Sequence, residues 1–133
     1  MEPNDAVADL DALPVVVADV IAPLYDPDLG GDSSFLAEVI QAFREDSPPR
    51  LAALRVACQS GDEDGLTRAA HSLKGSSSNF GAARLQALCA EIERLGHAGQ
   101  WQAAAPLVDR VQVEYALLLV TLDRLVETTP TGG

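Results

Sequence analysis

Aromatic residues make up only 5% of this 133-residue chain, and nine basic residues stand against twenty acidic ones. The first scarcity removes the stacking platform that single-stranded nucleic acid needs. The second gives a formal charge of -11, which repels phosphate backbones and anionic lipid, so neither nucleic acid nor membrane is an expected partner. The only two cysteines, Cys58 and Cys89, lie in helix-patterned segments with no His or Cys at ligand spacing. They form neither a disulfide framework nor a zinc site and read as small core residues in a reducing compartment. No basic stretch leads into an apolar one at the N-terminus, and the apolar run from Pro14 to Tyr25 is broken by Asp19 and Pro23. A secretory signal and a membrane span are therefore not expected, and a cytoplasmic location is.

What the chain has is alanine and leucine within a 47% hydrophobic content, a balance that favours helix over strand. Residues 1–12 are acidic and weakly periodic, and read as a loose lead-in. Residues 13–126 read as one helical domain, and 127–133 as a frayed tail. Within the domain a short helix is expected over 13–25, closed by the turn chemistry of Asp26 to Gly31. A second begins at Asp32 or Ser33, both good caps, with Phe35, Leu36, Val39, Ile40 and Phe43 along one face. Ser47 as cap and Pro48 at the first helical position predict a break there and a third helix, stopped by Gly61. A fourth follows a capping box of Ser60 and Glu63, with Asp62 competing as the cap. A fifth carries Leu85, Leu88, Cys89, Ile92 and Leu95. The last runs from near Trp101 to Val126, with Pro106 in its first turns and Leu107, Val111, Tyr115, Leu118, Leu122 and Leu125 as a bundle seam. The expected fold class is all-α: an antiparallel up-and-down four-helix bundle with one or two additional N-terminal helices.

The fourth helix holds the informative residues. Projected at about 100° per residue from Leu66, its positions Ala69, Ala70, Leu73, Ser77 and Phe80 fall within about 60° of the core direction. His71 falls at about 140°, Ser78 at about 120°, Gly75 at about 180° and Lys74 at about 80°. The imidazole thus points outward, unlike a buried structural histidine. An ordinary surface histidine is the competing reading. Against it, Gly75 costs about 1 kcal/mol in an exposed helix interior, which suits the approach of another molecule's backbone. Lys74 is the only lysine in the chain, a compact ammonium one turn from the ring. Ser76, Ser77 and Ser78 keep the same turn small and polar. A neutral imidazole is a good nucleophile near neutral pH, and phosphoryl transfer asks chiefly for a positioned lone pair and charge neutralisation. No glycine-rich phosphate loop or kinase signature is present, so a nucleotide is not expected to bind.

The segment His71-Ser-Leu-Lys74-Gly75-Ser76, with Gly81 beyond it and Leu85, Leu88 and Cys89 following, closely resembles the histidine-containing phosphotransfer (Hpt) domain family. Upstream stretches Phe35–Phe43, Leu51–Leu54 and Ser60–Asp62 extend the resemblance over roughly residues 20–125. It implies a phosphorelay intermediate of two-component signalling, in which His71 accepts a phosphoryl group on Nε2 from a receiver-domain aspartate and passes it to another receiver. It further implies that Lys74 assists the phosphoryl group and Gly75 makes room for the receiver; Ser78 is a further candidate for docking. Implied partners are response-regulator receiver domains and a hybrid sensor histidine kinase, with Mg²⁺ supplied by the receiver and no cofactor or metal held by this chain. The chain is then a carrier and not an enzyme, and a single outward site requires no dimer, so a monomer is expected. Two alternatives use the same residues: a direct substrate of a histidine kinase, and a receiver-docking protein that carries no phosphate. A hydrolase with His71 as general base is disfavoured, since no carboxylate lies one helical turn away to orient the ring. Glu91 and Glu93 read as a solvated face, although Glu93 or Arg94 could approach the His71 side of the neighbouring helix. His97 reads as a surface residue at a helix end, and Trp101 as a packing anchor.

Overall fold

A computed structural model describes residues 9–128, so the first eight residues and the tail beyond Thr128 lie outside the description. Five α-helices follow in chain order: α1 (Ala18–Tyr25), α2 (Ser33–Ser60), α3 (Glu63–Ser78), α4 (Ala83–His97) and α5 (Ala105–Thr128). A 3₁₀ turn at Leu10–Ala12 precedes them, two more at Pro27–Leu29 and Trp101–Ala104 lie between helices, and no strand occurs among the described residues. Helices α2 and α4 each pack against both α3 and α5, which sets α3 and α5 diagonally across a four-helix bundle. The core runs through Leu36, Leu54, Leu66, Leu73, Leu88 and Leu122, all within 1% of full burial. Both cysteines are free and buried there.

The break expected at Ser47 does not occur. Helix α2 continues through Pro48 and Pro49 to Ser60. Prolines deny an N–H to the carbonyls four residues earlier, here those of Arg44 and Glu45. Pro48, Pro49 and Glu45 are exposed and Arg44 is half-buried, so water reaches that side of the helix. The opposite side carries one unbroken buried stripe of Phe43, Ser47, Leu51 and Leu54. Packing of that stripe outweighs the local stop signal. Ser47, expected to cap a helix, is instead fully buried, and its Oγ has no hydrogen-bond partner among the described residues. Ser47→Ala removes an unsatisfied hydroxyl and is expected to raise stability by about 1 kcal/mol. Urea unfolding measures it, and a loss of similar size would show that the hydroxyl is satisfied.

Two other local expectations shift. Asp62 caps α3, its carboxylate accepting from Gly65 N–H at 2.9 Å, while Ser60 turns back to Ala57 O; the Ser60–Glu63 box does not form. Residues 9–12, expected to be loose, are docked. Leu10 is 3% exposed, Arg84 donates to the carbonyls of Leu13 and Asp11, and Arg110 bridges Asp11 and Glu114. The first helix is also shorter than expected, starting at Ala18 rather than at residue 13. Gly81 explains how it seats: its φ is +63°, and a Cβ there would lie 2.7 Å from Val20 Cβ. The chain thus meets α1 at a bare backbone, whose carbonyl accepts from Val17 N–H at 2.7 Å.

Candidate functional site

Every α3 position projected inward is buried: Leu66, Ala69, Ala70, Leu73 and Ser77, with Phe80 just past the helix end. The outward positions emerge as projected. The His71 side chain is 70% exposed, and Lys74 lies one turn along at 34%. Gly75 is exposed, and a Cβ there would meet nothing within 4 Å. No contact inside the bundle asks for this glycine.

Helix α4 supplies the residue that sequence reasoning did not place. Glu93, only 18% exposed, lies between the imidazole and the ammonium. Its Oε2 is 3.1 Å from His71 Nδ1, and its Oε1 accepts from Lys74 Nζ at 2.7 Å. Glu93 is thus no solvated-face residue, and the orienting carboxylate missing along α3 arrives from α4. Glu91 is also no solvated residue: it is 4% exposed and pairs with Arg94, whose Nη2 donates at 3.2 Å. A signal for Glu93 did exist. Counting equal distances outward from the turn at residues 79–82 pairs His71 with residues at about 90, and Glu93 lies within one helical turn of that level.

The carboxylate fixes the ring. A nitrogen facing a carboxylate carries the proton, so Nδ1 donates to Glu93 and Nε2 keeps the outward lone pair. The hydrogen bond from Lys74 is the largest influence on Glu93 and holds its carboxyl below the usual glutamate range, against partial desolvation and with help from His71. A lowered folded-state pKa stabilises the fold above the usual glutamate value, and the contribution is lost as pH falls through the lowered value. Glu93→Gln is expected to flatten that acid-side loss, measured by urea unfolding across a pH series. Removal of the charge that faces Nδ1 is also expected to loosen the ring's orientation, and imidazole NMR signals unchanged in Glu93→Gln would deny Glu93 its positioning role.

Ser78 stands apart from this cluster. Its hydroxyl donates to Gly75 O at 2.6 Å, a bond within its own helix, and not to the His71 or Lys74 side chain. Beneath the site Cys89 is fully buried, and burial pushes its thiol up to about 12, which leaves it protonated and inert. His97 is the exposed last residue of α4, and Trp101 packs against the core as an anchor. A groove of about 560 Å³ between α2 and α3 is lined by Arg50, Val56, Arg68 and Ser72, the last next to His71 in the chain.

Comparison with known proteins converges on one group. Residues 38–128 match the family model described as Hpt domain. Histidine-containing phosphotransfer protein 2 of Arabidopsis thaliana is 28% identical over 95 residues, which span 69% of this chain and 61% of that protein. The chain therefore aligns with less than two thirds of that curated relative. The crystal structure of histidine-containing phosphotransfer protein B from Pseudomonas aeruginosa PAO1 superposes with a TM-score of 0.75 at 31% identity, covering 86% of this chain and 96% of the other.

Proposed function

The chain belongs to the Hpt domain family, and on that premise we propose that it is a phosphorelay carrier in which His71 takes a phosphoryl group from a receiver-domain aspartate and yields it to another receiver. The observation that carries this reading is the His71–Glu93–Lys74 arrangement on an exposed helix face. In the transfer, Nε2 forms a bond to phosphorus as the bond from phosphorus to the aspartyl oxygen breaks, and the electron pair returns to the receiver carboxylate. The Nδ1 proton stays hydrogen-bonded to Glu93, which offsets the positive charge that develops on the ring. Lys74 has three N–H donors and uses one on Glu93, leaving the others for phosphoryl oxygens. The onward step is the same displacement in reverse.

The Mg²⁺ and the remaining electrophilic groups belong to the receiver in this scheme, and the chain itself supplies a nucleophile and no kinase chemistry. Its partners are accordingly receiver domains, with a hybrid sensor kinase upstream, all in the cytoplasm. Among the described residues no helix is long and apolar enough to cross a membrane. Open space over Gly75 gives a receiver backbone room to approach.

Incubation with receivers carrying labelled aspartyl phosphate tests the proposal. The expected result is rapid appearance of acid-labile phosphate on residue 71, with loss of label from the receiver. Label that appears only with a kinase, in the absence of any receiver, would favour the direct-substrate reading. Receiver binding without label would favour a docking protein, and either outcome overturns the relay.

A further inference from the structure

Helix α5 carries an apolar stripe that nothing in the bundle covers. Val113 is 59% exposed, Leu117 38% and Val120 46%, and Ala116 between them is exposed as well. These positions recur at helical spacing on the side opposite the buried Val111, Glu114, Leu118 and Leu122. Opposite charges close the two ends. Asp109, 71% exposed, lies at the N-terminal end. Arg124 is exposed at the C-terminal end and forms no ion pair among the described residues.

The order of these residues is self-complementary. Reversed about a point between Ala116 and Leu117, the stripe maps Val113 onto Val120 and Asp109 onto Arg124. A second copy laid antiparallel therefore sets valine against valine, the small Ala116 against Leu117, and each carboxylate toward a guanidinium. A parallel copy would instead face like charges across both ends. Such matching is what an isologous two-fold contact requires. We propose that this chain self-associates through α5 as an antiparallel, two-fold symmetric dimer, in place of the monomer expected from a single outward site.

The diagonal placement of α3 and α5 keeps both His71 rings on the outer faces of that dimer, so association and phosphate acceptance do not compete. Asp109 also faces Arg55 at 3.1 Å within its own chain, and in the dimer it is shared between the two guanidinium groups. The contact is one narrow stripe of side chains along about 24 Å of helix, at the small end of specific interfaces, so the association is weak and depends on concentration.

Sedimentation equilibrium of the full chain from about 10 μM to 1 mM is expected to show a reversible monomer–dimer equilibrium. Leu117→Lys and Val113→Glu, both surface changes that leave helicity intact, should each return the protein to monomer. Asp109→Arg and Arg124→Asp should each weaken association about tenfold, and the double reversal should recover most of the loss. Monomer at every concentration overturns the proposal. So does a dimer indifferent to Leu117→Lys and Val113→Glu, or a charge reversal that the second reversal does not rescue.

Discussion

His71→Gln is expected to abolish acceptance of phosphate from every receiver while leaving the far-ultraviolet circular dichroism and the unfolding midpoint nearly unchanged. The two halves of that result have separate causes. The ring is 70% exposed, so its removal opens no cavity, and surface changes of this kind stay within about 0.5 kcal/mol. Glutamine keeps a polar group beside Glu93 and so limits the penalty of leaving that carboxylate without its partner. Yet an amide has no ring lone pair to attack phosphorus, and neither Cys89, buried with its thiol pushed up to about 12, nor Ser78, turned onto Gly75 O, replaces it. Residual labelling above a few per cent would mean that another residue takes the phosphate.

Gly75→Leu should drive activity and stability in opposite directions. Leucine is a better helix former than glycine by about 0.8 kcal/mol, and a Cβ at this position meets nothing within 4 Å. The variant is therefore expected to be more stable than the parent by roughly that amount. The added side chain fills the space one turn from His71, where a receiver must bring its aspartyl phosphate in line with Nε2. A displacement of about 1 Å from the reactive geometry costs about 100-fold in rate, and a loss of at least that size is expected. Gly75→Ala should gain at least as much stability, about 1 kcal/mol, while losing less rate than the leucine variant. Parallel measurement of the transfer rate and the urea midpoint decides the matter. A leucine variant that gains stability and keeps its rate would place the receiver elsewhere.

How much of this was legible in the chain follows from the range of the interactions involved. The phase of α3 is a local property, fixed by 3.6-residue periodicity, and it gave the inward and outward positions of residues 66–80 correctly, His71 among them. The break assigned at Ser47-Pro48-Pro49 failed because a local stop signal competed with a stripe of buried side chains running from Phe43 to Leu54, and the stripe prevailed. Glu93 was misplaced for a related reason. Its partners are 19 and 22 residues away on another helix, and periodicity within α4 says nothing about what faces it. Leu10 and Asp11 show the same limit at longer range: Asp11 meets Arg110, 99 residues further along the chain, and no local rule anticipates that pairing.

The docked N-terminal segment determines where this domain can be cut. The family match begins at residue 38, a boundary that would discard Leu10, Ile21 and Leu36, all at 3% exposure or less. It would also strip Arg84 of its carbonyl acceptors and Arg110 of Asp11. Expression from residue 38 should therefore yield an aggregation-prone fragment with exposed core leucines. The shortest fragment that keeps these contacts starts at about Asp9, whose carbonyl accepts from Ala12 N–H, well outside the region that the family pattern marks.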